Sequence, residues 1–373
     1  RVKYCEGKFA LGNILCAVIP NDENFVLAKY LHIYLHWNKE ELLVSQMKGM
    51  ANVSLPMNRI ADVMVTVPNI EKQIEIIELE KKLVEKEIEA DKLFGDQLTQ
   101  LEHLNQAILQ EAVQGKLAPQ DPKDEPASEL LKHIKAEKIK SGKKEKPLPP
   151  IKPEEIPFEI PENWVWCRLG EICSKIGSGS TPKGSNYSKT GYPFFRSQNI
   201  YNDGLVYDDI TFVSEEVQKQ MSGTVVFPND ILLNITGGSM GRCALVPKDF
   251  EEGNVSQHVC IIRPLQVDTN YFQKIVLSPF FQKFIFSSTT GAGREGLPKY
   301  NLEQFAIPLP PLSEQKRIVA EIEKQIAITK QLKEHIIANQ QATEQLLKAL
   351  LHQAFLPVGA AAQAGEVSEV EEV

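Results

Sequence analysis

Apolar residues return at helical spacing along two long stretches of the chain. Residues 71 to about 114 contain no proline, and a second stretch, residues 313–355, is as long and has the same character. At about 1.5 Å per residue, each stretch predicts a helix about 65 Å long. The two apolar stripes are Ile77, Val84, Ile88, Phe94, Leu98, Leu101 and Ile108, and Ile318, Ile322, Ile326, Leu332, Ile336, Leu346 and Leu350.

Stripes of this width are typical of helices that bury against each other. A narrow apolar seam on a long helix favours a coiled coil, and we expect an antiparallel pair. A proline hinge precedes each helix, at residues 67–69 and 308–311, and Ser313 is the expected N-cap of the second helix. The alternative is an ordinary two-helix packing inside a larger domain.

The chain contains an internal repeat. Residues 49–77 align without a gap on residues 291–319 at a constant separation of 242 positions, so that Gln73 falls on Gln315 and Pro68 on Pro310. Conserved apolar spacing together with proline positions is the signature of a duplicated module. The sequence therefore predicts two related surfaces within one chain.

Between the two helical stretches the sequence changes character. Short β-rich runs separated by Gly, Asn and Ser predict strands near residues 164–169, 192–196, 224–227, 230–235, 243–246 and 259–263, with a helix over residues 271–287. This pattern indicates an α+β domain. Residues 1–66 resemble only its last part. Residues 119–155 are interpreted as a linker with one short amphipathic helix, and its lysine run is either solvated or in contact with phosphate.

Composition and charge narrow the class of protein. No apolar run approaches the ~20 residues of a membrane span, and the opening residues have no secretory pattern, so we expect a cytoplasmic protein without a membrane partner. The six cysteines show no metal-site spacing and are interpreted as reduced core residues. The net charge of −8 argues against an indiscriminate polyanion binder, but not against a reader whose basic residues lie on one face.

Motifs for catalysis are missing from the sequence. It contains no Gly-x-x-x-x-Gly-Lys-Ser/Thr loop for ATP and no polar-Pro-Pro-aromatic loop of the kind that an adenine methyltransferase uses. The glycine-rich pieces at residues 177–179 and 237–241 lack the context of a dinucleotide site. We therefore expect no catalytic residue, no metal and no cofactor in this chain.

Four segments carry a resemblance to a known family. They are LNQAILQEAVQGKLAPQDPKDEPASELLKHIKAEK (104–138), IPENWVWCRLGEI (160–172), GSGSTPKGSNYSKTGYPFFRSQNI (177–200) and IPLPPLSEQKRIVAEIE (307–323). Together they resemble the specificity (S) subunit of a type I restriction-modification system. The resemblance implies a non-catalytic subunit that reads a bipartite site on double-stranded DNA. It also implies two adenine methyltransferase (M) subunits and restriction (R) subunits as partners, which supply the chemistry with S-adenosylmethionine and ATP.

The resemblance also implies the domain organisation. The fold class is α+β: a target-recognition domain of mixed α/β character joined to two long helices that form an antiparallel coiled-coil spacer. The expected parts are the C-terminal part of a truncated first recognition domain (1–66), a central long helix (67–118), a linker with a short helix (119–155), a complete second recognition domain (156–310), a distal long helix (311–357) and a disordered acidic tail (358–373).

Candidate DNA-binding residues are chosen by chemical type. Arg, Asn and Gln read base edges, and Lys, Ser, Thr and backbone amides hold phosphates. The candidates lie in polar loops of residues 156–310 and are Lys183, Asn186, Tyr187, Lys189, Arg196, Ser197, Gln198, Asn199, Asn234, Thr236, Ser239, Arg242, Gln257, His258, Arg294, Lys299 and Tyr300. The alternative for each residue is an ordinary role in a loop or helix cap. Residues 196–199 belong to the recognisable motif, and they either contact DNA or form part of the structural framework of the family.

Candidate partner-binding residues lie off the two apolar stripes. They are Ile76, Leu83, Leu104, Leu109, Val319, Ile328, Ile337 and Leu347. Either they bind methyltransferase subunits, or they cover the recognition domain or its linker. The function expected overall is DNA sequence recognition. The alternative is a coiled-coil scaffold or decayed fragment that binds methyltransferase subunits without reading DNA, and a stand-alone enzyme is a third reading.

Overall fold

The computed structural model describes residues 1–12, 14–47, 54–140, 142, 147–288 and 296–356. The helices are α1 (Ala28–Trp37), α2 (Lys39–Leu42), α3 (Met57–Ala61), α4 (Ile70–Val113), α5 (Ala127–Lys140), α6 (Glu215–Gln220), α7 (Thr269–Leu277), α8 (Pro279–Ser287), α9 (Lys299–Gln304) and α10 (Leu312–Phe355). The strands are β1 (Val165–Arg168), β2 (Cys173–Ser178), β3 (Tyr192–Phe195), β4 (Ile200–Tyr201), β5 (Gly204–Leu205), β6 (Thr211–Val213), β7 (Val225–Val226), β8 (Ile231–Asn234), β9 (Cys243–Leu245), β10 (Gly253–Val255), β11 (Val259–Pro264) and β12 (Ala306–Leu309).

The chain forms two compact units. Residues 1–100 and 332–373 belong to the first unit, and residues 101–331 belong to the second. Helices α4 and α10 contribute to both. Within the parts of the chain described above, no helix is long and apolar enough to cross a membrane.

The two long helices run antiparallel within each unit, which confirms the predicted fold class. In the second unit, the end of α4 and the start of α10 share one core, and the Thr329 hydroxyl donates to Asn105 Oδ1 at 2.7 Å. In the first unit, Ile76 near the start of α4 packs with Leu351 and Phe355 at the end of α10.

The buried seam differs from the predicted apolar stripe. On α10 the seam follows a strict seven-residue spacing through Ile322, Thr329, Ile336 and Thr343, which are buried or half-buried. Leu332, Leu346 and Leu350, which the stripe included, are 46%, 59% and 40% exposed, and Ile88 on α4 is 65% exposed. The predicted buried positions were wrong at these residues because polar residues occupy part of the seam. A search for apolar side chains alone does not find them.

The proline segment before α10 is partly a strand. Residues 306–309 form β12, which pairs antiparallel with β1, so the predicted hinge narrows to residues 310–311. Pro308 is tolerated because each strand of this two-stranded sheet has a free edge. Ser313 is not the N-cap, since α10 already begins at Leu312, and its hydroxyl donates instead to Asp124.

Two sheets share a core in the second unit. One is antiparallel with strand order β2-β11-β8-β9, and the other is mixed with order β6-β3-β10-β7. Along β8, Leu232 faces the core between the sheets, whereas Ile231 and Leu233 face the larger core that includes α7, α8 and the long helices. This alternation explains the continuous apolar run of β8, because both faces of its sheet are buried.

The short amphipathic helix predicted after the first long helix is α5. Ala127, Leu130, Leu131 and Ile134 on one face of α5 are buried in the core of the second unit. The predicted helix over residues 271–287 is two helices, because Pro279 begins α8 after the cap residue Ser278.

The internal repeat is visible in atomic contacts. Gln73 and Gln315 are both fully buried, and each side-chain oxygen accepts from the backbone N–H of the residue before a helix, Leu27 or Asp268, at 2.8 Å. Their amide nitrogens donate to the Pro68 and Pro310 carbonyls at 2.8 and 2.9 Å. In both copies of the repeat, a buried glutamine therefore joins a short helix to a long helix through the same hydrogen bonds.

Candidate nucleic-acid interface

One end of the antiparallel sheet gathers several polar loops. Strand β2 ends at Ser178 and β8 at Asn234, whereas β9 begins at Cys243 and β11 at Val259. The register pairs Ser178 with Cys260 and Asn234 with Val259, which places these four ends side by side. Because neighbouring antiparallel strands alternate in direction, the loops at 179–191, 235–242 and 256–258 leave the sheet at the same end.

A cluster of polar side chains lies in these loops. The Thr181 hydroxyl donates to Gln257 Oε1 at 2.6 Å, and Thr236 Oγ1 lies 2.7 Å from His258 Nδ1. Gln257 Nε2 and His258 Nε2 are 3.5 Å apart. We call Thr181, Thr236, Gln257 and His258 the polar quartet. Gln257 and His258 are exposed, so the quartet offers hydrogen-bonding groups to solvent.

A second group lies around Arg242. Its guanidinium stands over the Tyr201 ring at 4.7 Å, in a cation–π arrangement that holds the charge at the surface. Asn202 Oδ1 accepts from the Cys243 backbone N–H at 3.1 Å, which fixes the loop that carries Tyr201 to the start of β9. Ser239 is half-buried beside it.

Two of the predicted DNA-contacting residues are buried and hydrogen-bonded within the loop framework. Asn199 is fully buried, and its amide nitrogen donates to the Val206 and Asp208 carbonyls at 3.0 and 3.2 Å. Asn234 is also fully buried and donates to the Ser197 carbonyl at 2.9 Å and to Ser239 Oγ at 3.1 Å. These hydrogen bonds stabilise the loops.

Arg196 also contributes to this framework. Its Nη2 donates to the Asp209 carbonyl at 2.9 Å, and its backbone N–H donates to Asn199 Oδ1 at 3.1 Å. Arg196 and Ser197 are half-buried, whereas Gln198 between the two framework residues is exposed. Arg196 and Asn199 therefore support the loops, and DNA contact by residues 196–199 stays a prediction.

The remaining candidates are on the surface of the second unit. Lys183, Asn186, Tyr187 and Lys189 are exposed between β2 and β3, and the Tyr187 ring lies 5.6 Å from Phe194. On α9, Tyr300 is 64% exposed.

Two further candidates near α9 carry positive charge. Lys299 forms an ion pair with Glu303 at 3.1 Å, which offsets its charge locally. Arg294 lies outside the described residues.

Thr181 and Tyr201, which contact candidate residues, were not among the candidates chosen from sequence. Thr181 stands in a Gly-Ser-Gly-Ser-Thr run that resembles an ordinary turn, and only tertiary contact with Gln257 distinguishes it. Tyr201 had a local signal, since the Asn-Asp pair after it is a turn sequence between β4 and β5.

The cysteines beneath the interface are structural. Burial raises the pKa of the Cys260 thiol to about 12, and burial raises the pKa of Cys243 further, so both stay neutral. Cys167 and Cys173 are buried as well. Cys5 and Cys16 are exposed, so the expectation of core cysteines was wrong for these two.

The predicted partner-binding residues fall into two groups. Ile76, Leu109, Val319 and Leu347 are buried within this chain at 9% exposure or less and offer little surface to another protein. The sequence prediction put these residues outside the buried stripe of the long helices because the observed buried face differs from the predicted stripe.

The other predicted partner-binding residues retain surface. Leu104, Ile328 and Ile337 are 47%, 57% and 37% exposed, and Leu83 is half-buried against the core of the first unit. Exposed apolar side chains on otherwise polar helices remain available for contact with another protein.

The chain is similar to proteins of one family. The family model described as type I restriction modification DNA specificity domain matches residues 161–339. The type I restriction enzyme EcoEI specificity subunit of Escherichia coli is 34% identical over 269 residues, which are 67% of this chain and 43% of the relative. The EcoAI specificity subunit of Escherichia coli is 35% identical over 268 residues, 67% of this chain and 44% of the relative. This chain thus spans less than half the length of either relative.

A solved structure shares the fold. A chain in a study of complex assembly and conformational transition of the type I R-M system matches with a TM-score of 0.62 at 19% identity, over 90% of this chain and 73% of that chain. Sequence similarity over two thirds of the chain, the matching domain and the shared fold agree. The chain belongs to the family of type I restriction enzyme specificity subunits.

Proposed function

We propose that this chain is the DNA sequence-recognition subunit of a type I restriction-modification complex. In that role it positions methyltransferase and restriction subunits on a bipartite DNA site and performs no chemical step itself. The observation that carries the proposal is the gathering of exposed polar loops at one end of a buried, hydrogen-bonded sheet. A rigid support that carries exposed polar loops is suited to reading base edges.

The proposed DNA-contacting residues fall into two classes. Gln257, Gln198, Asn186 and Arg242 are assigned to base edges, because amides and guanidinium groups present paired donors or acceptors in the major groove, and His258 is assigned to holding Gln257 in place. Those assigned to the phosphate backbone are Lys183, Tyr187, Lys189, Thr236, Ser239, Arg294, Lys299 and Tyr300. Arg196, Ser197, Asn199 and Asn234 are assigned to the framework.

The proposed domains follow the repeat. Residues 156–310 form one recognition domain, and residues 1–66 contribute to another. Gln73 and Gln315 make equivalent hydrogen bonds in the two copies. The long helices set the spacing between half-sites, and residues 119–155 join them. The proposed working place is the cytoplasm, where duplex DNA and the partner subunits meet.

The proposed partners bind the helices. Two adenine methyltransferase subunits dock on exposed apolar residues such as Leu104, Ile328 and Ile337, and restriction subunits join that assembly. Partner binding by this face does not require DNA recognition. A scaffold that does not read DNA would bind the same partners.

A competition binding experiment separates reader from scaffold. The full chain is prepared with its methyltransferase subunits, and duplexes selected from a randomised pool are compared with scrambled duplexes over a series of salt concentrations. A reader binds the selected duplex with an excess affinity that persists at physiological salt, on the order of 10³-fold or more, whereas nonspecific phosphate contact weakens steeply with salt. Equal affinity for selected and scrambled duplexes contradicts the proposal.

A further inference from the structure

Gln257 differs from the other candidate amides because its side chain is both exposed and held in place. Resting on the proposed function, we infer that Gln257 reads an adenine in the half-site of this recognition domain, with Thr181 and His258 as its positioning residues. The side-chain amides of Asn199 and Asn234 already donate to backbone carbonyls of the loops. Among the described residues, no hydrogen bond fixes the side-chain amide of Asn186 or Gln198.

The contacts of the polar quartet leave one donor and one acceptor on the amide. Oε1 of Gln257 accepts from the Thr181 hydroxyl at 2.6 Å and keeps a second lone pair. Nε2 faces His258 Nε2 at 3.5 Å and keeps a second N–H. When His258 donates from Nδ1 to Thr236 Oγ1, 2.7 Å away, its Nε2 presents a lone pair to the amide.

The free donor and acceptor match adenine. In the major groove, adenine presents N7 as an acceptor and the N6 amino group as a donor. The remaining N–H of Gln257 is complementary to N7, and the remaining lone pair on Oε1 is complementary to N6. The Thr181 and His258 contacts orient the amide before DNA arrives, so less side-chain entropy is lost on binding.

The backbone under the quartet is tightly connected. Gly179 N–H donates to the Val259 carbonyl at 2.9 Å, and Ser180 N–H donates to the Val255 carbonyl at 3.1 Å. A Cβ at Gly179 would lie 1.9 Å from the Val255 carbonyl oxygen, so this close approach requires glycine. The segment that carries Thr181 is therefore fixed against the turn that carries Gln257.

The test measures base preference one position at a time. The complex of the full chain with its methyltransferase subunits selects a motif from randomised duplex DNA, and each A·T pair of that motif is then replaced singly in competition assays. Gln257→Ala is expected to lose discrimination at one A·T position by roughly 5- to 150-fold, with the other positions unchanged. Gln257→Glu is expected to shift preference at that position toward cytosine, whose N4 donates to a carboxylate.

Variants of Thr181 test the positioning role. Thr181→Val removes the hydroxyl at nearly constant volume and is expected to weaken discrimination at the same position, whereas Thr181→Ser restores it. Gln220→Ala, an exposed glutamine on α6, is the matched control and should leave every position unchanged. Thermal unfolding and affinity for scrambled duplex confirm that each variant is folded.

The outcomes separate this inference from the proposed function. If the wild-type complex selects a motif and Gln257→Ala keeps the same preference at every position, the inference is wrong and the proposed function stands. A uniform loss of affinity at all positions also contradicts base reading by Gln257. If the wild-type complex selects no motif, the proposed function fails first.

Discussion

Gly177, in strand β2, and Gly179, just after that strand, have opposite requirements. A Cβ at Gly177 would meet no atom within 4 Å, whereas a Cβ at Gly179 would meet the Val255 carbonyl oxygen at 1.9 Å. We expect Gly177→Ala to be neutral or slightly stabilising, because alanine loses less backbone freedom on folding. Gly179→Ala should lower the free energy of unfolding by about 1–3 kcal/mol, because backbone must move. Urea unfolding of the two variants measures the contrast, and equal stability would contradict the close approach.

Asp124 predicts a pH-dependent contribution to stability. The Arg317 guanidinium, whose Nη2 lies 2.5 Å from Asp124 Oδ2, lowers the pKa of that carboxyl from its ordinary value. A carboxyl with a lowered folded-state pKa stabilises the protein above the pKa of the unfolded chain, and the stabilisation is lost as pH falls through the folded value. Asp124→Asn should therefore reduce the free energy of unfolding at pH 7 by roughly 1–2 kcal/mol, and the difference from wild type should shrink below about pH 4.

The comparison of unfolding at two pH values isolates Asp124. Burial raises the pKa of Glu314 nearby, with hydrogen bonds from Trp164 and Gln120 opposing that rise, so Glu314 favours the folded state as pH falls. Glu314 titrates in both proteins, and its contribution largely cancels in the difference. A difference between wild type and Asp124→Asn that is constant from pH 7 to pH 3.5 would count against the ion pair.

Residue type alone does not separate exposed from buried polar candidates. Asn199 and Asn234 have the chemistry of adenine readers, yet the same amides satisfy backbone carbonyls where loops cross. Burial decides between these roles, and burial depends on non-local packing. Gln257 and His258 are exposed, and their contact with DNA stays a prediction, whereas Thr181 is identified only by its contact across 76 positions of sequence.

At the scale of elements, Ile322 and Ile328 on α10 test the two faces of one helix. Ile322 is fully buried and Ile328 is 57% exposed. Ile322→Ala should cost about 2–5 kcal/mol of unfolding free energy, because it removes buried methyl groups and leaves a cavity. Ile328→Ala should cost less than about 0.5 kcal/mol.

Binding of the methyltransferase subunit should show the reverse order. Ile328→Glu places a charge on the proposed docking face and is expected to weaken binding by about 10-fold or more without lowering the melting temperature. Lys330→Ala, an exposed polar change two residues away, is the control for surface substitution. Unchanged binding by Ile328→Glu would remove this face from the proposed interface.

The long helices were predictable, but their seam was not. Length, absence of proline and apolar periodicity placed both helices within one or two residues of their observed ends. The seam on α10 includes the polar residues Thr329 and Thr343, so its buried face follows a seven-residue spacing that apolar residues mark only in part. Short strands such as β10 escaped prediction because they depend on pairing with β3, about 60 positions earlier.

At the scale of the whole molecule, the repeat is the property that the sequence reveals most directly. Gln73 and Gln315, 242 positions apart, make equivalent hydrogen bonds in their two units. A duplicated recognition module predicts a DNA site in two parts, since each module would read its own half. The spacing between the halves would then depend on the length of α4 and α10.

We propose that this chain directs adenine methylation to a two-part DNA sequence. Methylome sequencing of cells that carry the chain with its methyltransferase partner tests it most directly, with cells that carry the methyltransferase alone as the control. We expect N6-methyladenine at one interrupted motif, present only when both proteins are expressed. Unmodified DNA despite an intact complex, or methylation without a sequence motif, would contradict the claim.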